Sequence, residues 1–455
     1  MAFEVREFEE ATTWESLKVA TPERLRLDAE KLKSATLSSA KAFVRGDDPK
    51  MTLYRDSAAW CPYCQKCWIL LEETKASYRI EKINMACYGD KPRSFFEVQP
   101  SGTLPAAVLL KKNNVVLGSS DEIVREILDT SDVRSVDGRD DPRSRELLQL
   151  ERVHFSAWLR WLTGGDSGKL PFIRVLDKVE EAIDGPFFLG ERFTHVDAIF
   201  APFLERMAAS LAYFKGYVVR KTDYLENTET NDDLQAFRRY PKLNKWFDAM
   251  ETRPAYQATM ADFYTHAHDL PPQLGGCVSA RSPHADAVRA DVDGDCWTPN
   301  AQPKYEANWN WIPEPKEEAA ARLSDNGPNV AVFAARAVGI PGFPPARAEL
   351  ADPRALADEN IVPIVDALLR LIVLRLRNQE NDATSKTLIS SWLPKTPQRT
   401  KAAAYAKECL AYLRDRVGVP RDMSLPAALA LRQDCNALIT ILEDPTVLNY
   451  DNKHP

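Results

Sequence analysis

Three cysteines fall within seven positions of the stretch AAWCPYCQKCWILLEE, at Cys61, Cys64 and Cys67, directly ahead of an apolar run. Residues of this type at this spacing can clamp a metal, act as a redox pair, or sit as small buried side chains. A cysteine in the first turn of a helix faces unsatisfied backbone N–H groups and the positive end of the helix dipole, both of which favour its thiolate. Cys61 is therefore placed for nucleophilic chemistry. Pro62 suits the first turn, where its missing N–H would have had no partner. Cys64 shares the face of Cys61 and is placed to attack a mixed disulfide formed there. Cys67 continues the row by one turn and reads as a small core residue.

The metal alternatives are weaker. CxxCxxC is part of an iron–sulfur pattern, but Leu71 stands where the ferredoxin spacing needs a fourth cysteine. Zinc would want a second ligand pair. The distant cluster of His266, His268 and Cys277, with Cys296 further on, reads as a structural connector whose imidazoles satisfy backbone groups. No metal is expected.

A helix that presents Cys61 needs strands around it. KMTLYRD reads as a short strand, CPYCQKCWILLEETK as a helix and SYRIEKINM as an alternating strand, a β-α-β unit. A short helix ending at Pro100 follows, then strand AAVLL opened by Pro105, the Asn113-Asn114 turn, strand VVLG, and a helix started by cap-type serines in SSDEIVREIL. The order is β-α-β-α-β-β-α. Past a charged linker around SVDGRDDPRS, apolar residues recur at helical spacing in four long segments up to about residue 265.

These patterns divide the 455 residues, too many for one ordinary core. A polar lead with one helix, ATPERLRLDAEKLKSATLSSAKAF, occupies 1–49; an α/β domain covers 50–130 and an all-α domain 143–270. A Pro-, Gly- and Trp-rich connector takes 271–317, and a helical extension 318–455. Charged residues at 27% against 44% hydrophobic fit a globular protein with a sizeable core. A net charge of −7 without a long Lys/Arg block argues against nucleic acid as a partner. IVPIVDALLRLIVLRL, the most apolar run, is broken by Asp366 and Arg370 and falls short of the roughly 20 apolar residues of a membrane span. It reads as a core helix. Eight cysteines are too sparse and too clustered for a secreted disulfide framework, so a reducing compartment is expected.

The order of elements, a thiol at the first helix and an all-α partner domain resemble the glutathione S-transferases. TLP, Thr103 to Pro105, resembles that family's cis-proline turn, in which the residue before the proline, here Leu104, offers its backbone to the cysteinyl part of glutathione. SSDEI resembles the helix start that receives the γ-glutamyl carboxylate: Ser120 takes the serine position, and Ser119 stands where the family usually carries Glu or Asp. Lys91, in GDKPRSFF, resembles the lysine that cysteine-type members place near the glycyl carboxylate. FTHVDAIFAP resembles the family's capping box, with Thr194 as N-cap and Asp197 at N3.

A cysteine at the catalytic position resembles the omega, lambda, dehydroascorbate-reductase and iota classes. The CPYCQK, MACYGDKP, PSGTLPA, DFYTHAHDLPPQLGGC and VPRDMSLPAALALR segments and the long extension look closest to the iota class of photosynthetic organisms. The resemblance implies a thioredoxin-like domain, a transferase-type helical domain, glutathione as cosubstrate and a Cys61 mixed disulfide. Glutathione would lie against Leu104, Pro105, Ser119, Ser120 and Lys91, and small disulfides or glutathionylated compounds would be the substrates. A homodimer, a protein partner on the extension, and dehydroascorbate as acceptor are compatible with it. The expected location is the cytoplasm or the chloroplast stroma. The rival reading is a non-catalytic scaffold acting through the extension, for which Ser119 in place of an acid and the Trp-rich YEANWNWIPEP segment speak. Trp158 and Trp161 could line a second-substrate cleft, although helix-spaced aromatic pairs are more often core.

Overall fold

The computed structural model describes residues 12–20, 42–85, 88–227, 232–307, 309–343, 352–395 and 397–449. Most of the predicted helix between residues 20 and 43 lies outside them.

Strand β1 (Ala42–Arg45) leads into β2 (Met51–Asp56), which is central in a five-stranded sheet of order β1-β3-β2-β4-β5. On one side β2 pairs in parallel with β3 (Tyr78–Ile83), Met51 opposite Tyr78. On the other it runs antiparallel to β4 (Ala106–Leu109), which in turn pairs with β5 (Val115–Leu117). A parallel pair needs a crossover. After the short N-terminal helix α1 (Trp14–Val19), helix α2 (Pro62–Glu73) supplies it, buried without a break from Cys64 to Leu71. Helices α3 (Arg93–Val98) and α4 (Ser120–Thr130) complete this thioredoxin-like unit. The β4–β5 turn carries Asn113 and Asn114 at φ 50° and 56°, the left-handed conformation that two-residue hairpin turns require. Strand β1 lies inside the predicted polar lead. It is an edge strand, held by antiparallel pairing to β3.

The second unit contains α5 (Ser144–Thr163), α6 (Lys169–Ala182), α7 (His195–Lys215), α8 (Pro241–Glu251) and α9 (Phe263–Leu274) and is all helical, as expected. Every residue of α7 is buried, and the helix packs on α2, α5 and α9. Its start is the expected capping box: the Thr194 amide donates to Asp197 at 2.8 Å, and Asp197 also accepts from the Trp246 indole at 3.0 Å. Trp158 and Trp161 are core residues, Trp158 donating to Ser210 at 2.9 Å.

Helix α10 (Pro283–Asp293) lies within the stretch read as connector; Ser282 caps it, its side chain accepting from the Ala285 amide. In the Trp-rich segment, Trp309 is buried and stacks on Trp311 at 5.8 Å, so this face turns inward. Helices α11 (Pro315–Ala334), α12 (Val362–Leu376), α13 (Asp382–Trp392), α14 (Arg399–Arg414) and α15 (Leu425–Glu443) form the extension. The apolar α12 is buried along most of its length, as a core helix should be, and α1 docks beside it through Trp14, whose indole donates to Asp366 at 2.6 Å. Among the described residues no helix is long and apolar enough to cross a membrane.

The extension is joined to the second unit by buried polar contacts. Arg432 pairs with Asp262 at 2.9 Å, and the Val419 amide donates to the Thr265 hydroxyl at 3.1 Å. It also reaches the sheet unit, where Arg354 pairs with Asp90 at 2.7 Å.

Candidate active site

Cys61 is the N-cap of α2, with Pro62 at the first helical position, as the sequence predicts. It keeps 8% of its surface accessible, while Cys64 keeps 1% and Cys67 none. Burial pushes the Cys64 thiol well above its ordinary value; its hydrogen bond to Cys61 and its electrostatic coupling to Cys61 and Asp56 add to the effect. Cys64 is therefore a protonated thiol that donates to Cys61, and Cys61 is the more accessible sulfur. Cys67 donates to the Ser120 carbonyl at 3.6 Å, and burial raises its thiol to about 12. Its role is structural.

The loop from Asp56 to Cys61 is pinned from several sides. The buried Asp56 carboxylate accepts the Trp60 amide at 2.6 Å, and Ala59 takes φ 56° to make the turn. Arg206 on α7 donates to the Trp60 carbonyl, to Gln65 Oε1 at 2.7 Å and to the Pro202 carbonyl at 2.7 Å, and its guanidinium lies 4.9 Å over the Trp60 ring. The Trp60 indole donates to His266 Nδ1 at 3.1 Å, and His266 Nε2 lies 2.7 Å from Glu205 Oε1. Since Nδ1 accepts, the proton sits on Nε2 and the imidazole is neutral. Burial lowers the His266 pKa in the same direction. Burial alone would raise the Glu205 carboxyl, but the His266 hydrogen bond, the Arg206 charge and the Ala261 amide hold it below its usual range.

His266 thus bonds two side chains rather than the backbone groups expected from the sequence. His268 faces Asp293 at 2.9 Å, and the two imidazoles do not form a ligand set with Cys277 and Cys296.

The other site residues predicted from the sequence gather around two turns. The Leu104–Pro105 bond is cis, and Lys91 donates to the Gly102 carbonyl just before it. Gln99 donates to the Gly118 carbonyl at 2.9 Å and to Thr103 Oγ1 at 3.2 Å, tying the TLP turn to the start of α4. Ser119 is the N-cap of α4, and its hydroxyl accepts from the Glu122 amide while Glu122 reaches back to the Ser119 amide at 3.1 Å. Ser120 is buried, with its carbonyl engaged by Cys67. The acid nearest to it is Asp121, whose exposed carboxylate pairs with the buried Lys66 at 2.7 Å.

The N-terminal domain of the glutathione S-transferases matches residues 60–130 and their C-terminal domain matches residues 170–249. Protein IN2-1 homolog B of Oryza sativa subsp. indica is 30% identical over 171 residues, 35% of this chain and 67% of that protein. The chain belongs to the glutathione S-transferase family. Glutathione S-transferase DHAR2 of Arabidopsis thaliana is 26% identical over 207 residues, 44% of this chain and 84% of that protein. Glutathione transferase Omega 1C from Trametes versicolor, a crystal structure, is 19% identical, with 50% of this chain and 98% of that one covered at a TM-score of 0.39.

Within this glutathione S-transferase, an aromatic and cationic face adjoins the cysteine helix. Tyr63 meets Phe203 edge-on at 5.5 Å, Phe203 meets Phe155 at 5.1 Å, and Arg152 lies 4.7 Å over Phe203 and 4.9 Å over Phe155. This face, rather than Trp158 and Trp161, borders the start of α2. Reading the sequence missed it, and missed Arg206, Glu205 and Asp56. The available signal was LERM: a Glu-Arg pair in the middle of the otherwise apolar IFAPFLERMAASLAYF, since charges in such a run are rarely buried unless paired.

Proposed function

We propose that this chain is a glutathione-dependent thiol transferase of the cysteine type, closest in motif to the iota class through CPYC at Cys61 to Cys64 and through its extension. The carrying observation is Cys61 at the N-cap position of α2, its side chain free of any cap hydrogen bond, with the buried Cys64 thiol hydrogen-bonded to it. A sulfur so placed attacks a glutathionylated or small disulfide substrate, takes up glutathione as a mixed disulfide, and is released by a second thiol. Glutathione would lie along Leu104 beside cis Pro105, its glycyl end toward Lys91 and its γ-glutamyl end toward Ser120 and the Ser119-capped start of α4, with Asp121 as the acid of that turn. Residues 50–130 would hold glutathione and 143–270 wall the second-substrate side, while 271–317 would connect them to the extension at 318–455. Tyr63, Phe155 and Arg152 would present an apolar, cationic wall to the acceptor. Dehydroascorbate suits the same thiol chemistry. The resemblance to iota members supports a location in the cytoplasm or chloroplast stroma and is compatible with a homodimer.

One observation favours the scaffold alternative: the Ser119 hydroxyl is committed to the helix cap, so the position offers no acid for glutathione. Mass spectrometry after exposure to oxidised glutathione separates the two readings. The transferase reading expects an adduct on Cys61 that Cys61→Ser abolishes, together with thiol-transfer turnover. A protein that takes no adduct and turns over nothing would refute it.

A further inference from the structure

Asp56 has a role that the proposed thiol chemistry does not yet use. It ends β2 five residues before Cys61 and is fully buried. One carboxylate oxygen accepts the Trp60 amide at 2.6 Å, while Oδ1 is enclosed and has no hydrogen-bond partner. A buried carboxylate oxygen left unpaired is costly to keep, and native proteins rarely keep one without a use. Around it, a carboxylate oxygen of Asp56 and the Cys61 and Cys64 sulfurs all lie within 4.8 Å of one another. This is the reach of a proton transfer made directly after a small side-chain shift, or through one water.

We propose that Asp56 is the proton acceptor for Cys64, so that glutathione bound at Cys61 is expelled by closure of a Cys61–Cys64 disulfide. The inference rests on the thiol-transferase reading above. Cys64 is a protonated, buried thiol, and a thiol attacks disulfides only as the thiolate. In the step, the Asp56 carboxylate takes the Cys64 proton and the Cys64 sulfur bonds to the Cys61 sulfur. The bond from Cys61 to the glutathione sulfur breaks with its electron pair on glutathione, which leaves as thiolate and is protonated from water. No oxidant is consumed, because the mixed disulfide is the oxidised reactant. Two further glutathione thiols return the internal disulfide to the dithiol and leave as oxidised glutathione.

The charges facing Asp56 come from several elements: Arg55 beside it on β2, Cys61 and Cys64 at the start of α2, Arg206 on α7, and Asp269 on α9. Burial holds Asp269 up at about 6, so it takes a proton at mildly acidic pH.

The test starts from protein carrying glutathione on Cys61 and follows, by rapid acid quench and mass spectrometry, the loss of the adduct without added thiol. The unmutated protein is expected to lose it in a first-order process to the internal disulfide, and Cys64→Ser to retain it. Asp56→Asn, whose side-chain oxygen still accepts the Trp60 amide, is expected, once loaded with the adduct, to close on the order of 100-fold more slowly, the scale of a lost general base. Closure at the unmutated rate in Asp56→Asn would overturn the proposal, as would an adduct that persists in the unmutated protein. A measurement on the unmutated protein alone also decides it. With Asp56 as base, closure levels off with rising pH once the carboxylate is fully formed, whereas a tenfold rise per pH unit sustained from 5 to 9 would assign the proton to hydroxide and refute it. If Cys61 takes no adduct in any form of the protein, the thiol-transferase reading itself fails, and this proposal with it.

Discussion

Arg206 is the most informative side chain to remove, because it belongs to the helical unit yet holds the loop that carries Cys61, the proposed nucleophile. Its guanidinium is buried and donates to the Trp60 carbonyl, to Gln65 one turn past Cys61, and to the Pro202 carbonyl. Burial works against the charge and lowers its pKa, an effect that Glu205 and the acids around the site offset. Arg206→Met strips the Trp60 carbonyl and Gln65 Oε1 of a donor in a dry environment, at about 1–3 kcal/mol each. It also recovers part of the cost of burying a guanidinium whose Nε already lacks a partner. The net expectation is a loss of roughly 2–4 kcal/mol in urea unfolding. Thiol-transfer turnover should fall at least tenfold, since Trp60 and Cys61 are then held mainly by Asp56 and His266. Arg206→Lys keeps the charge but not the fork, and should recover less than half of either loss. A cycle with Gln65→Leu should show a coupling of about 1 kcal/mol between the two positions. Arg206→Met with unchanged unfolding and turnover would refute the idea that α7 holds the cysteine loop.

Other consequences can be checked separately. Ser119→Ala removes a helix cap and should lower stability by about 1 kcal/mol while leaving the KM for glutathione nearly unchanged, whereas Ser120→Ala should raise that KM with little change in melting; the reverse pattern would exchange the roles given to the two serines. Burial raises Asp269 from 3.8 to about 6, so the folded state binds its proton more tightly than the unfolded chain: the contribution is complete below about pH 4 and is lost as pH rises to about 6. It amounts to about 3 kcal/mol at 1.36 kcal/mol per unit, so the stability difference between unmutated protein and Asp269→Asn should shrink by that much between pH 4 and 6.5; a constant difference in urea titrations would contradict the assignment. Arg432→Met leaves Asp262 buried and unpaired and should cost roughly 3–5 kcal/mol, with Asp262→Asn in the same chain costing well under the sum of the two single changes.

What could be read in the sequence was what short-range physics decides. Cys61 and Pro62 announce a helix start, Thr194 and Asp197 a capping box, and the Asn pair a hairpin, because each signal spans only a few residues. Strand β1 could not be read this way, since four residues at a sheet edge are strand only because β3 lies alongside. The helix α10 and the inward tryptophans of the connector were hidden behind Pro and Gly content, which marks turns without saying what packs between them. The groups that pin the cysteine loop were the least legible. Asp56, Gln65, Glu205 and His266 are ordinary polar letters until the fold brings together positions separated by more than 200 residues, as in the bond from Trp60 to His266.

That assembly bears on why the extension is bonded so firmly to the rest. Asp262 caps α9 by accepting the Thr265 amide at 2.9 Å and is itself held by Arg432 of α15. His266 follows on the same helix turn and carries the hydrogen bond to Trp60. Three residues after His266 on the same helix, Asp269 accepts from Tyr88, and the Arg421 charge from the extension acts on the same carboxylate. The contacts of Asp262 with Thr265 and Arg432 and of His266 with Trp60 are buried, so the loss of one leaves a polar group unpaired at low dielectric instead of returning it to water. The position of α9, and with it the imidazole behind the Cys61 loop, is therefore set partly by residues beyond 414. A sheet unit and a helical unit would suffice to build a glutathione cleft; here the third body helps to fix the residues that stand behind the thiol.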